Sequence, residues 1–191
     1  MPQPREVARL VFAKEFNASD LTFKESEDQY APAYLLTPTG AKCNRVFVVG
    51  TLTEKDTVGK NQDMWRFRVV DPTGVFVCKA GQFNAEAAQE IADIEPPVFV
   101  SIVGKTEVFK PKPEEGEEQR TFVSIKPELV HVVDIEARNI WIQSTIKATL
   151  ERLSKLTSTD EPDYKKAREY YGVLPTDYKE MLHNAYKALK E

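Results

Sequence analysis

This sequence predicts a mainly β protein with added α: a five-stranded barrel, entered by an N-terminal helix and arm and followed by a long helix plus two short helices. Short apolar or alternating runs recur at 46–52, 64–80, 98–104 and 121–125. One helix-forming stretch, NAEAAQEIADI, falls between the third and fourth strands. From Asp134 onward apolar residues recur at steps of three and four instead of two, the change of period that separates helix from strand.

Taken in order, REVARLVFAKEF at 5–16 spaces Val7, Ala8, Leu10 and Val11 as a short amphipathic helix. Residues 17–42 are polar, carry Pro32 and Pro38, and predict an extended arm with an edge strand around Tyr34-Leu35-Leu36. VFVVGTL at 46–52 is apolar on both faces, as a buried strand should be, and Gly50 marks a bulge or bend in it. A polar loop at 53–63 leads into a hairpin at 64–83. There Trp65, Phe67 and Val69 alternate with Arg66 and Arg68, so arginines share one face and large apolar groups the other. Asp71-Pro72-Thr73-Gly74 suits a type I turn, with Pro presetting φ and Asp accepting a local hydrogen bond. On the returning strand Phe76, Cys78 and Ala80 oppose Val77 and Lys79. The helix at 84–94 starts at an Asn in cap position and is stopped by Pro96-Pro97. VFVSIVG at 98–104 is the fourth strand, a long loop at 105–120 follows, TFVSI at 121–125 is the fifth, and 130–133 extends the sheet or leads out of it. Asp134 caps a helix of some 20 residues with Trp141, Ile142, Thr145, Ile146, Thr149, Leu150, Leu153 and Leu156 along one side. Two further helices are predicted at 162–171 and 176–190, with Gly172 between them.

Strand, strand-turn-strand, helix, strand, loop, strand is the order of an OB-fold, a partly open Greek-key barrel whose ligand face lies on its middle strands between two flanking loops. An SH3-like barrel also has five strands but has no need of the helix at 84–94. The chain divides into a helix and arm at 1–43, the OB-fold domain at 44–133, a long helix at 134–157 and a helical extension at 158–191.

Composition narrows the function. With 26 basic and 30 acidic residues the formal charge is −4, which argues against binding nucleic acid by bulk charge. No apolar run approaches membrane-spanning length, and MPQPREVARL lacks the apolar core of a signal peptide, so a cytoplasmic protein is expected. Cys43 and Cys78 have no metal-ligand spacing, and His131 and His183 are the only two histidines; neither metal nor cofactor is expected, and Cys78 reads as a small core residue. No nucleophile elbow or phosphate-cradling glycine loop is present, and the expectation is a protein that is not an enzyme.

The blocks NRVFVVGTLTE, WRFRVVDPTG, AGQF and EPPVFVSIVGK, with the trailing long helix, resemble the archaeal replication protein A associated family. That family is similar to the middle subunit of the heterotrimeric single-stranded DNA-binding complex replication protein A. The resemblance runs from about Arg5 to the helix ending near Leu156. It implies an OB-fold that binds single-stranded DNA in replication, recombination and repair, and whose C-terminal helix packs with helices of two partner subunits.

Candidate DNA-contacting residues are Arg66 and Arg68, with Lys79 on the neighbouring strand extending the patch; the alternative for them is a solvated strand face. Phe83 and Phe109 match, by the resemblance, the stacking aromatics of related subunits, and Lys110 beside Phe109 suits a phosphate path. Phe83 could instead pack beneath the helix at 84–94, and Trp65 is assigned to the barrel interior. Glu114, Glu115, Glu117 and Glu118 in the same loop would repel a phosphate backbone. For assembly, Trp141, Ile142, Ile146, Leu150 and Leu153 are the candidate interface, against the alternative that this stripe packs on its own barrel. A second functional reading is an architectural OB subunit that trimerises and recruits partner proteins with little DNA contact.

Overall fold

The computed structural model describes residues 5–60 and 63–191. Its elements in chain order are β1 (Ala8–Arg9), α1 (Ala13–Asn17), β2 (Leu21–Lys24), β3 (Ala33–Leu36), β4 (Lys42–Cys43), β5 (Arg45–Val58), β6 (Met64–Asp71), β7 (Gly74–Ala80), α2 (Ala85–Asp93), β8 (Val98–Phe109), β9 (Phe122–Val132), α3 (Ile135–Ser158), α4 (Pro162–Tyr171) and α5 (Lys179–Lys187).

A barrel closes because β5 is long enough to serve two neighbours. Its first half, Arg45 to Leu52, pairs antiparallel with β8, and its second half, Thr51 to Val58, pairs antiparallel with β6. β6 and β7 form the expected hairpin, β7 meets β9 in parallel at Cys78↔Ile125, and β9 returns antiparallel to β8. This circuit of five strands is the mixed OB-fold barrel. β5 turns its corner at a bulge between Leu52 and Glu54. Gly50, where the sequence suggested that bend, serves a different need: a Cβ there would lie 2.4 Å from the Val70 carbonyl oxygen, so only glycine lets β5 and β6 approach.

The N-terminal segment differs from the helix expected at 5–16. Ala8 and Arg9 form a short strand parallel to β5, and helix begins only at Ala13. Its position is set by the barrel. Phe12 and Phe16 are fully buried in the core, with the Phe16 ring 5.6 Å from that of Phe76. Asp71 of the DPTG turn accepts the Ala13 N–H at 2.7 Å, standing in for an absent cap on α1. In the arm the expected strand around Tyr34-Leu35-Leu36 is present as β3, but it pairs with β2 and β4 in a small antiparallel sheet of their own, and its Leu35 and Leu36 are both buried.

Both long loops are shorter than expected, because strand continues into them. β5 runs on to Val58 and β8 to Phe109, and the 121–125 and 130–133 runs are one strand, β9. Asn61 and Gln62 of the first loop lie outside the described residues. α2 caps one end of the barrel with Ala87 and Ile91; the expected Asn84 side-chain cap is not made. The last carbonyls of α2 are taken instead by Lys55, whose Nζ donates to Ile91 O and Ala92 O at 3.1 and 2.9 Å. Trp65 is partly buried against the same core, with the Lys55 ammonium 5.2 Å from its ring centre.

α3 begins as expected: Asp134 accepts the Ala137 N–H at 2.8 Å. Its 24 residues span about 36 Å. α4 keeps the expected bounds and ends at Gly172 in the left-handed region, φ 61°. α5 and the 3-10 turns flanking it cover the predicted 176–190 helix. α4 and α5 fold back on α3, so Tyr178, Met181 and Ala185 belong to the same core as Trp141, Ile142 and the barrel. No described helix is long and apolar enough to cross a membrane.

Candidate nucleic-acid interface

Strand register decides which side chains meet on the barrel's outer surface. On β6, Phe67 and Val69 point inward and are buried, so Arg66 and Arg68 point outward and are half exposed. Arg66 stands opposite Lys79 of β7, bringing together the three cations expected from the sequence. Because Cys78 and Ile125 are paired and both buried, the residues that follow them, Lys79 and Lys126, both point outward, side by side. Lys126 is opposite Lys105 of β8, and Lys105 is opposite Arg45 of β5. Strand pairing thus joins one basic residue per barrel strand into a row on the outer surface, Arg66, Lys79, Lys126, Lys105 and Arg45. The row winds obliquely round the barrel, since one end lies opposite Asp56 of β5 and the other is Arg45 of the same strand.

These groups, and Arg68 beside them, differ in how free they are. Arg68 Nη1 donates to Glu54 Oε1 at 2.7 Å, and Arg66 lies 3.9 Å from Asp56; both carboxylates sit directly across the strand pair. Lys126 pairs with Glu107 at 2.6 Å. Arg45 is held by Glu128 through two hydrogen bonds of 2.6 and 2.7 Å, which hold the Glu128 carboxyl below its usual range. Lys79 and Lys105 make no ion pair among the described residues. The arginines are therefore not the bare patch expected; DNA would have to displace a carboxylate from each.

Aromatic groups flank this row on both sides. Phe109 is 58% exposed and stands directly opposite Phe122, itself 54% exposed, at the loop ends of β8 and β9. Phe122 is a residue the sequence reading missed, although parity within TFVSI could have found it: Val123 and Ile125 point in, so Phe122 points out. Lys105 and Lys126 were missed because their alignment depends on pairing between distant strands. Phe83, 91% exposed, does not pack beneath α2; it lies beside Arg5 and Leu129, at the end of the face away from Phe109. Lys110 is turned to the arm, where its Nζ donates to Asp20 O at 2.9 Å, so its neighbourhood with Phe109 is one of sequence only. The acidic tip at Glu114, Glu115, Glu117 and Glu118 is exposed beyond the phenylalanines.

The assembly residues require a correction. Trp141, Ile142 and Leu153 are buried within the chain: the Trp141 indole donates to Phe47 O at 2.9 Å and meets Phe12 edge-on at 5.5 Å. Ile146 is half-buried and Leu150 exposed. The stripe α3 leaves uncovered reads Glu136, Ile140, Gln143, Lys147, Leu150 and Ser154, mostly polar. Barrel, α4 and α5 already occupy the apolar side.

A closed five-stranded mixed barrel with a capping helix defines an OB-fold protein, and comparison with solved structures agrees. One chain of a replication protein A heterotrimer bound to ssDNA is similar over 77% of this chain and 98% of its own length, with 16% identity and a TM-score of 0.52. A chain of the S. pombe Stn1-Ten1 complex is similar over 86% of this chain and 99% of its own length, with 12% identity and a TM-score of 0.51. No family model and no curated protein sequence matches the chain.

Proposed function

We propose that this chain binds single-stranded DNA on the outer face of β6, β7, β9 and β8, as a subunit of an archaeal-type replication protein A complex serving replication, recombination and repair in the cytoplasm. The observation that carries the reading is the row of cations from Arg66 to Lys105 beside the exposed Phe109–Phe122 pair. Cations along a groove neutralise phosphates, and exposed rings give bases of any sequence a surface to stack on. The structural likeness to a chain of a replication protein A heterotrimer supports it through the shared fold. Assembly with other subunits in this reading uses Ile140, Ile146 and Leu150, large apolar groups of α3 that its own chain leaves exposed or half-buried. The test is a fluorescence-anisotropy titration of oligo-dT across a salt series. Arg66→Ala with Arg68→Ala should weaken binding and flatten the salt slope by roughly 0.7 for each phosphate no longer neutralised. An unchanged slope would remove both arginines from the site.

One observation favours an architectural subunit instead: Glu54 and Asp56 neutralise the two arginines. A chain that shows no DNA affinity alone, yet co-purifies in a complex with partner subunits, would decide for that reading.

A further inference from the structure

The basic row does not end at the β6–β7 hairpin. Lys126 and Lys105 carry it over β9 and β8 to Arg45, where the N-terminal segment and the arm meet the barrel. At that point the surface is concave. A trough of about 460 Å³ runs between the arm and β5–β8, lined by Arg5, Arg45, Lys105 and Asn44 and walled by Tyr30. A second hollow of about 340 Å³ continues from it, shares Arg5 and ends at Phe83. Tyr30 is 84% exposed, so the trough has an open aromatic ring at each end and cations between.

The acidic groups here are mostly engaged by the protein itself. Glu6 accepts the Tyr34 hydroxyl at 2.7 Å, and Glu128 holds Arg45. Glu86 lies at the Phe83 end. Arg45 is fixed by its bidentate bond, whereas Lys105 is exposed and free of ion pairs among the described residues.

We propose that this trough is a second stretch of the polynucleotide path: single-stranded nucleic acid leaving the hairpin face crosses Lys126 and Lys105 and enters between the arm and the barrel, phosphates toward Lys105 and Arg5 and bases toward Phe83 and Tyr30. It rests on the single-stranded DNA reading and extends it, since the chain then engages more nucleotides than the hairpin alone can reach. The arm sheet becomes one wall of the site.

The experiment compares a short and a long probe, oligo-dT of ~6 and ~20 nucleotides, around the range of about 4–16 nucleotides that one OB-fold occupies. The intact chain carrying Lys105→Ala and Arg5→Ala should lose roughly tenfold affinity for the long probe, with a shallower salt slope, and bind the short one as before. Tyr30→Ala, which removes only an exposed ring, should give a smaller loss also confined to the long probe. Unchanged affinity for both probes, or equal loss for both, overturns the extended path while leaving the hairpin face in place. Absence of binding to either probe by the unaltered chain overturns the DNA reading itself, and this inference with it.

Discussion

Arg152 on α3 reaches Glu15 on α1, Nη2 to Oε1 at 3.2 Å, and the carboxylate it meets is fully buried. Thr37 and Thr39 from the turn after β3 donate to the same carboxylate oxygen at 2.8 and 2.7 Å, and Arg152 also donates to Leu10 O and Thr39 Oγ1. One ion pair therefore ties the first helix, the arm and the long C-terminal helix together. Removing one partner strands a buried charge, so Arg152→Ala should cost about 3–5 kcal/mol, whereas Arg152→Met combined with Glu15→Leu should cost far less. Urea denaturation midpoints check both; equal losses would mean the pair acts through packing volume and not charge.

Asp71 is a second junction of the same kind. Its carboxylate accepts from Ala13 N, Thr73 N, Thr73 Oγ1 and Gly74 N, while burial pushes its carboxyl up against those bonds. Asp71→Ala leaves three buried or half-buried N–H groups without this acceptor and should cost about 1–3 kcal/mol for each group that water does not satisfy. Asp71→Asn keeps an acceptor oxygen and should retain part of that. Loss of hydrogen-exchange protection at Ala13 in the Asp71→Ala chain would locate the effect at the start of α1.

Glu128 and Arg45 make stability depend on acid. The Arg45 bonds lower the folded-state value of Glu128, so the folded state binds protons less readily than the unfolded one. The resulting stabilisation is present above the usual carboxylate value and is lost as pH falls through the depressed one. Glu128→Gln should lower the melting temperature at neutral pH and narrow the difference from the native chain in acid. A difference that stays constant as the pH falls from neutral into the acid range would contradict this assignment.

The cross-strand carboxylates restrain the arginines of the proposed DNA-binding face. Glu54→Gln with Asp56→Asn should raise oligo-dT affinity and steepen its salt dependence, since Arg68 and Arg66 then meet phosphate without first leaving a partner. Surface pairs of this kind contribute about 0–1 kcal/mol to stability, so the melting temperature should hardly move. Weaker binding would mean that the carboxylates orient the arginines and do not compete for them.

Much of the barrel was legible because each of its strands is an alternating or apolar run and its turn carries Asp-Pro and Gly where their backbone preferences fit. α3 and α4 were legible for equally local reasons, a cap at Asp134 and a stop at Gly172. Of the arm sheet only β3 was: β2, β3 and β4 are two to four residues long, and prolines between them obscure the period. The site was half legible. Arg66, Arg68 and Lys79 share a face by parity alone, but Glu54 and Asp56 reach the arginines only after a bulge in β5, and no local pattern announces its register. Lys105 and Lys126 likewise become neighbours of Lys79 only through pairing across the closed barrel. The α3 stripe misled because its breadth was real but its occupants, α4, α5 and the barrel, belong to the same chain.

The most direct test is whether the isolated, intact chain binds single-stranded DNA through the exposed phenylalanine pair. Fluorescence anisotropy with labelled oligo-dT at low salt should show saturable binding that weakens as salt rises. Phe109→Ala and Phe122→Ala should each weaken it by about 1–3 kcal/mol, the contribution of one stacked base. Binding that is absent, or that both variants leave untouched, would contradict the account.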